Sequence, residues 1–405
     1  MTVIGGTMTD VGVGISMLGS GTLTVNEGTR ITVKSGVGNY GIGVGESVNA
    51  TLTGTRIEGK GGGTGKGVWM GSTGKMVMER VTISEVAMGV EATNGTVEIS
   101  GHSTIMFEGG ERNYGVRVQN GVTMASLTDV TITGAGSGKG TGVIKEGTGT
   151  LNMTEVGISN VEKGVLMKEG TVTISGVQIS KVKMGVEAVA GTLVIKGNSV
   201  ITFKNGDRNY GVRVKNGVTS ASLMGVTIKG DGDGEGSKGV WMDGKTLEMT
   251  NVDVLNVGVG VEAKKGGTLT INKGKIGFKK DYGIGVWGEA TATITGTTIT
   301  GEGKGKGVYA TGMGTLTLKM TGVNISNVAM GVEATNGTLT MTRGSIEFKN
   351  GRDNYGIGVG KSVTLATITG TKITGEGKGT GVLMMETKMM RLDGVTISNV
   401  GEGYG

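Results

Sequence analysis

Short runs of alternating apolar and polar residues follow one another along the chain, and Gly or Asn bounds most of them. After Gly115 the chain reads "VRV", "VTMASL" and "VTIT", in which Val, Ile and Leu alternate with polar residues. A period of two predicts short β-strands with one buried face. Because the runs repeat without helical segments between them, the pattern predicts an all-β protein.

A glycine followed by Val or Ile sets the period of the pattern. Its copies lie 21 to 28 residues apart, and the last is followed by Tyr404 instead. The copies are Gly14, Gly41, Gly67, Gly89, Gly115, Gly142, Gly164, Gly185, Gly211, Gly239, Gly260, Gly283, Gly307, Gly331, Gly356, Gly381 and Gly403. Three short strands in each repeat indicate a coil of a parallel β-helix, whereas a propeller blade needs about 40 residues. The sequence therefore predicts a right-handed parallel β-helix of about 16–17 coils, with the hand set by the crossover rule.

A longer period lies on top of the coils. The tripeptide "NYG" or "DYG" recurs at intervals of three coils, except for one interval of four coils. The stretch "VAMGVEATNG" is identical at 86–95 and 328–337. Both observations indicate a duplicated block of three coils. We expect one β-helix domain over 1–405, with an extra coil at 164–185. The three-coil units are predicted to start near residues 41, 115, 211, 283 and 356.

The composition narrows the possible chemistry. The chain has 85 Gly, no Pro, no Cys and one His, with a net charge of +6. Without Cys there is no disulfide, thiolate metal site or cysteine nucleophile. The charges are interspersed, so the sequence predicts no nucleic-acid partner and gives weak support for acidic partners. No apolar run reaches the ~18 residues of a membrane span. We expect no cofactor and no metal; "DGDGEGSKG", with Asp231, Asp233 and Glu235, lacks the twelfth-position Glu of a calcium loop.

Paired carboxylates are the first candidate for catalysis, since other β-helices carry glycosidase or lyase faces. The glutamates of the "GVEA" strands face outward but lie three or four coils apart, roughly 14–19 Å. Glycoside hydrolysis needs carboxylates about 5–9.5 Å apart. These glutamates cannot act as a pair.

Asp129 and Glu155 are the better-placed pair, because each precedes an equivalent strand in adjacent coils. The same position elsewhere holds Gly176, Gly225, Asn251, Gly322 and Gly394. Those residue types tolerate positive φ, so the sequence predicts a turn rather than an acid–base pair. His102, in "GHST", is also predicted to lie in a turn. We expect no enzymatic activity; a polysaccharide-degrading enzyme is the second alternative.

Two sets of residues are candidates for partner binding. Trp69, Trp241 and Tyr309 occupy the outward position of the "GVEA"-type strand, where they either contact a partner or shield the strands beneath them. The same outward ladder places Glu91 beside Arg117, and Glu187 beside Arg213, as expected ion pairs on a solvated face. Lysines of the Gly-rich loops form a predicted basic stripe that is either solvated or contacts acidic glycans: Lys60, Lys66, Lys139, Lys238, Lys304, Lys306 and Lys378.

The coils resemble a known family. Motifs such as "GVEATNG", "NYGIGVG" and "TGVNISNV", in a chain without Cys or Pro, are similar to the passenger domains of bacterial autotransporters, above all the inducible autotransporters of Bartonella. The resemblance covers essentially the whole chain but rests on structural motifs, so it transfers no site residue. It implies a signal peptide and a C-terminal outer-membrane barrel that this sequence does not carry, and hence a secreted, released passenger.

The resemblance also implies a partner. An angiogenic member of the family implies activation of a vascular endothelial growth factor receptor on host endothelial cells. We therefore expect a secreted effector that engages this receptor. The first alternative is a surface adhesin that binds host matrix or acidic glycans through the basic loops.

Overall fold

A computed structural model describes residues 1–62, 64–136, 138–234, 236–386 and 389–401. The chain divides into two compact units, Met1–Thr202 and Phe203–Gly405, and each is described by itself. Gly403 and Glu235, which the sequence analysis singled out, lie outside the described residues. The expectation of one continuous domain stays a prediction.

Every regular element of the described residues is a β-strand. The first strands are β1 (Thr2–Ile4), β2 (Thr7–Val11), β3 (Val13–Met17), β4 (Ser20–Asn26), β5 (Arg30–Val33), β6 (Tyr40–Val44), β7 (Ser47–Thr53), β8 (Arg56–Gly59), β9 (Lys66–Met70), β10 (Lys75–Glu79), β11 (Thr82–Val86), β12 (Met88–Ser100), β13 (Ser103–Glu108), β14 (Tyr114–Thr128), β15 (Val130–Ala135), β16 (Thr141–Lys145), β17 (Thr150–Thr154), β18 (Gly157–Ser159), β19 (Lys163–Met167), β20 (Thr171–Ser175), β21 (Gln178–Val182) and β22 (Met184–Lys196).

The remaining strands continue in the same order. They are β23 (Val200–Lys204), β24 (Tyr210–Met224), β25 (Thr227–Asp231), β26 (Lys238–Met242), β27 (Thr246–Thr250), β28 (Asp253–Val257), β29 (Val259–Ala263), β30 (Gly267–Asn272), β31 (Lys275–Phe278), β32 (Tyr282–Trp287), β33 (Ala290–Thr295), β34 (Thr298–Thr300), β35 (Lys306–Thr311), β36 (Thr317–Val328), β37 (Met330–Phe348), β38 (Tyr355–Thr369), β39 (Lys372–Thr374), β40 (Thr380–Met384), β41 (Met390–Asp393) and β42 (Thr396–Ser398). Across the described ranges, no helix is long and apolar enough to cross a membrane.

The strands stack as a right-handed parallel β-helix of about 16 turns in the described chain, as predicted. Within a coil, β9, β10 and β11 follow one another, and each pairs in parallel with a strand of the next coil. The strands that contain the repeating glycines form what we call the first sheet. In the first unit it runs β3, β6, β9, β12, β14, β16, β19 and β22. In the second unit it runs β24, β26, β29, β32, β35, β37, β38 and β40.

Several coils depart from three separate strands. Strand β12 runs without interruption from the first sheet into the next and pairs with β14 through two register shifts, after Ala92 and after Gly95. The positive φ of 72° at Gly95 turns the chain there while its hydrogen bonding continues. Corners of this kind join two predicted strands into one.

The core consists of apolar ladders along the inside of each sheet. Val68, Val90 and Val116 are fully buried in register in the first sheet, and Ile83 and Ile105 continue another ladder. Full burial of such a side chain contributes about 1.5–3 kcal/mol relative to exposure. The sum over many coils explains how a chain with 3% aromatic residues builds a core.

The repeating glycine is required by close packing between coils. A Cβ at Gly142 would lie 2.6 Å from the carbonyl oxygen of Gly164 and 2.5 Å from Cγ2 of Ile158. Gly67 and Gly307 have the same two close neighbours, a glycine carbonyl of the next coil and an isoleucine methyl. No other residue type fits this position, which is why the glycine marks the period.

Lys145 interrupts an apolar ladder. It is fully buried and pairs in register with Val118 and Met167. Its ammonium donates hydrogen bonds to the carbonyl oxygens of Glu146 and Gly147 at 2.6 and 2.7 Å. Burial lowers the pKa of Lys145. A lysine ammonium can therefore lie on the inward side of the coils where carbonyl oxygens of a turn accept its hydrogen bonds.

Candidate partner-binding face

Two columns of side chains cover the outer side of the first sheet. The sequence predicted one of them, and the register confirms it: Trp69 pairs with Glu91, and Glu91 with Arg117. We call this the Trp–Glu column. The other consists of the residues immediately before the repeating glycines, and we call it the Tyr–Lys column. In the first unit it reads Tyr40, Lys66, Met88, Tyr114, Thr141, Lys163 and Met184. In the second it reads Tyr210, Lys238, Val259, Tyr282, Lys306, Met330, Tyr355 and Thr380.

The columns meet in a recurring cluster of Lys, Glu and Tyr from three successive coils. Glu262 accepts from Lys238 Nζ at 2.5 Å and from the Tyr282 hydroxyl. Glu333 repeats this arrangement with Lys306 Nζ at 2.9 Å and the Tyr355 hydroxyl at 2.6 Å.

The first unit contains related pairs. Lys66 Nζ lies 2.6 Å from Glu91, and Lys163 pairs with Glu187. The sequence gives no signal for these clusters, because residue alternation identifies the face of a strand but not which side chains of neighbouring coils meet diagonally.

The cluster holds its carboxylate charged. Burial alone would raise the pKa of Glu262, but the hydrogen bonds from Lys238 and Tyr282 outweigh it and hold the pKa below its ordinary value. Burial and the same carboxylate raise the pKa of Tyr282, so its hydroxyl remains a donor. Each cluster is thus a charge-assisted network rather than an acid–base pair.

These contacts correct the expectation of a solvated glutamate ladder. Glu91, Glu187 and Glu262 point outward, as predicted, but are 8%, 3% and 2% exposed. Arg117 makes its two-pronged hydrogen bonds to Glu146, at 3.0–3.2 Å, and lies 3.8 Å from Glu91. The expected pair of Glu187 and Arg213 spans the two units and stays a prediction.

The lysines predicted to form one basic stripe belong to two groups. Lys66, Lys238 and Lys306 begin strands instead of lying in the loops, and they pair with the glutamates above. That these three lysines bind a partner stays a prediction. In the loops, Lys60 lies 2.5 Å from Asp10 and Lys139 lies 3.5 Å from Glu111. Lys304 and Lys378 are exposed, and no side-chain ion pair is seen for either within the described residues.

The three predicted aromatics lie on the outer face but are half-buried rather than exposed. Trp69 packs 5.9 Å from Tyr40, centroid to centroid, and Trp241 packs 6.4 Å from Tyr210. The guanidinium carbon of Arg213 lies 3.8 Å from the Trp241 ring centroid. Side chains of the Tyr–Lys column cover these three rings, and for that reason the rings are less exposed than predicted.

Trp287 joins the face although the sequence analysis did not select it. It packs against Tyr282 at 4.9 Å and against Tyr309 at 5.9 Å. Lys306 lies 4.1 Å from the Tyr309 ring, and Lys264 lies 5.3 Å from the Trp287 ring. Trp287 lies two residues beyond the Trp–Glu column on the same strand, so alternation places it on the same face. We call Tyr282, Trp287, Tyr309, Lys264 and Lys306 the aromatic patch.

Clefts open beside these clusters. One of 410 Å³ is lined by Tyr282, Lys306 and Tyr309, and one of 510 Å³ by Lys238, Glu262 and Tyr282. The first unit has a cleft of 870 Å³ beside Lys66, Glu91 and Tyr114. The outer face thus offers concave sites with aromatic and cationic walls, as is usual for ligand and partner binding.

The remaining candidates for catalysis lie in turns, as predicted. Asp129 and Glu155 have φ of 57° and 54°, and the glycines and asparagine at the equivalent positions also have positive φ. His102 has φ of 61°, and its Nδ1 lies 2.6 Å from Asp129 with an 87% exposed side chain.

Neither a metal site nor a known relative adds to this description of the face. No group of three or more His, Cys, Asp or Glu among the described residues could hold a metal ion. Comparison with protein-family models, with curated proteins and with solved structures finds no match.

Proposed function

We propose that this chain is a secreted, non-enzymatic binding protein that engages a receptor on host endothelial cells. The aromatic patch is the observation that carries the binding proposal. Its rings are half-buried on the outside of the solenoid, in contact with Lys264 and Lys306. Trp, Tyr and cationic side chains in partly desolvated positions dominate the energy of protein interfaces.

The choice of partner comes from the resemblance of the coil motifs to Bartonella autotransporter passengers. It supports a vascular endothelial growth factor receptor as the partner. The turn geometry of Asp129 and Glu155 favours binding over catalysis, because positive φ explains their residue types without a reaction.

An adhesin that uses the basic loops is the second candidate. It is supported by the exposed Lys304 and Lys378. It is weakened by the ion pairs of Lys60, Lys66 and Lys238, which leave fewer free charges for an acidic glycan. Binding through such loops would fall steeply as salt is added.

The test is receptor phosphorylation in cultured endothelial cells treated with purified, endotoxin-free protein. We expect a dose-dependent signal that is lost after heat denaturation and reduced at least tenfold in potency by Trp287→Ala, a loss of ~1.4 kcal/mol or more. Leu365→Ala is the matched control, because Leu365 is an apolar side chain, 41% exposed, in the part of β38 that pairs with Thr338 after the register shifts and continues beyond the first sheet. No signal, with salt-sensitive attachment to the cells, would favour the adhesin instead.

A further inference from the structure

One face of the second unit is lined by a regular array of small polar side chains. We call the strands that follow the first sheet in each coil the second sheet, which in the second unit runs β24, β27, β30, β33, β36, β37 and β38. Two of its outward columns are nearly all threonine. One is Thr246, Thr268, Thr291, Thr317 and Thr338, and the other is Thr250, Asn272, Thr295, Thr321, Thr342 and Thr369. Side chains in a column repeat about every 4.8 Å, so the array has the same spacing in every coil.

The column between these two contains the charged residues of the array. From β24 to β38 it reads Ser222, Glu248, Thr270, Thr293, Lys319, Thr340 and Thr367. Glu248 and Lys319 are exposed and lie three coils apart, roughly 14 Å, which is too far for an ion pair with each other. Their neighbours in the column are Ser or Thr, so neither has an opposite charge beside it in these columns of the described chain.

The first unit shows how such charges are satisfied within one chain. Its second sheet includes β10 and the later part of β12. There Lys75 and Glu98 belong to adjacent coils, and the Lys75 ammonium lies 2.7 Å from the Glu98 carboxylate. A lysine and a glutamate on this face therefore pair when they are one coil apart. The separation of Glu248 from Lys319 leaves both charges available to another molecule.

A second copy of the chain supplies both missing charges. A two-fold axis that runs along the strands between Thr270 and Thr293 reverses the order of the coils in the second copy. Glu248 then faces Lys319 of the partner subunit, and Lys319 faces Glu248 of the partner subunit, as an isologous contact requires. The opposite arrangement, with the coils of both copies in the same order, places like charges against each other. The charges therefore select a dimer with antiparallel coils.

The spacing and size of the face agree with this arrangement. Both copies repeat at the same spacing, so six coils, from Ser222 to Thr340, stay in register across the face. Six coils at ~4.8 Å and three columns at ~6.6 Å cover about 570 Å² of each copy, or about 1,100 Å² together. That area lies at the low end for specific interfaces, so the dimer is weak and dissociates in dilute solution.

We propose that the second sheet of the second unit is a self-association face, at which two copies of the chain pack with antiparallel coils and form two Glu248–Lys319 ion pairs. The proposal goes beyond the proposed function, and its test needs no receptor. The aromatic patch belongs to the first sheet, so this dimer leaves the patch uncovered and presents two copies of it.

Sedimentation velocity of the whole chain over a range of concentrations measures the dissociation constant of the dimer. The original chain is expected to show a monomer–dimer equilibrium. Added salt is expected to raise the dissociation constant, because the two ion pairs join exposed side chains.

Charge reversal identifies the face. Glu248→Lys places like charges at both symmetry-related contacts and is expected to raise the dissociation constant at least tenfold, as is Lys319→Glu. The double variant, Glu248→Lys with Lys319→Glu, restores both pairs and is expected to return the constant to within about threefold of the original. Glu347→Lys is the matched control, because it makes the same charge change at an exposed position of β37 that pairs with Thr374, outside the second sheet.

Recovery of the dimer in the double variant, together with its loss in each single variant, supports the proposal. Circular dichroism establishes that each variant is folded. A chain that stays monomeric at the highest concentration reached, or assemblies that grow beyond the dimer, would overturn it. So would a Glu248→Lys variant that dimerises as well as Glu347→Lys.

Discussion

At the scale of the residue, the absence of a Cβ determines the repeat. Most of the repeating glycines lie against a glycine carbonyl of the next coil and an isoleucine methyl. The sequence could reveal this glycine because the restriction recurs from coil to coil. The sequence could not reveal why glycine is required, since the close contact joins residues about one coil apart along the chain.

Substitution of this glycine is expected to be costly. Gly142→Ala would place a methyl 2.6 Å from the Gly164 carbonyl oxygen, so the coils must separate. We expect the free energy of unfolding to fall by about 1–3 kcal/mol, measured by urea denaturation followed by circular dichroism. Gly157→Ala is the control, because a Cβ there would lie 3.9 Å from its nearest neighbour, Thr131 Oγ1, and the φ of Gly157 is not positive. Equal losses in both variants would contradict the packing argument.

The buried carboxylates predict acid sensitivity. The folded-state pKa of Glu262 lies below its unfolded value, near 4.3, so its contribution is present above that pH and is lost as pH falls through the folded pKa. Glu262→Gln is expected to cost about 3 kcal/mol at neutral pH and to flatten the decline of stability below pH ~4. Urea denaturation as a function of pH measures both effects. Glu248→Gln, at an exposed position, should leave the profile unchanged.

Residue types could predict only part of the candidate site. Alternation placed Trp69, Trp241 and Tyr309 on the correct face, since the strand geometry fixes direction. It misjudged their exposure and the solvation of Glu262, because burial on an outer face depends on the long side chains of neighbouring coils. Lys238 and Tyr282 cover Glu262 from the coils on either side, and nothing in one strand signals that arrangement.

At the scale of the element, the turns before the third strand of each coil need a positive φ. Gly, Asn and Asp fill most of these positions, and from those residue types the sequence predicted the turn correctly. Glu155 is an exception that carries a side chain at φ 54°. The exception is tolerated because the backbone amide of Glu155 still donates to Ser175 at 2.9 Å.

Relief of this strain is expected to stabilise the chain. Glu155→Gly should raise the free energy of unfolding by about 0.5 kcal/mol, because the strain relieved exceeds the added entropy of the unfolded chain. Glu169→Gly is the matched control at an exposed position without positive φ, and it should lower stability by about 0.5–1 kcal/mol. Thermal denaturation compares the two, and the same sign for both would contradict the account.

At the scale of the whole molecule, the charged side chains form local ion-pair networks rather than one charged surface that could bind a partner. The net charge of +6 is mild, and Lys60, Lys66, Lys238 and Lys306 pair with carboxylates. Binding through the aromatic patch should therefore depend weakly on salt. The fold followed from repetition in the sequence, whereas the aromatic patch depends on which side chains of neighbouring coils meet.

Surface plasmon resonance of a vascular endothelial growth factor receptor ectodomain over the immobilised chain tests whether the aromatic patch binds this receptor. We expect saturable binding that changes little between low and physiological salt, is lost in Trp287→Ala and is kept in Leu365→Ala. No binding of the ectodomain, or equal binding by both variants, would contradict it.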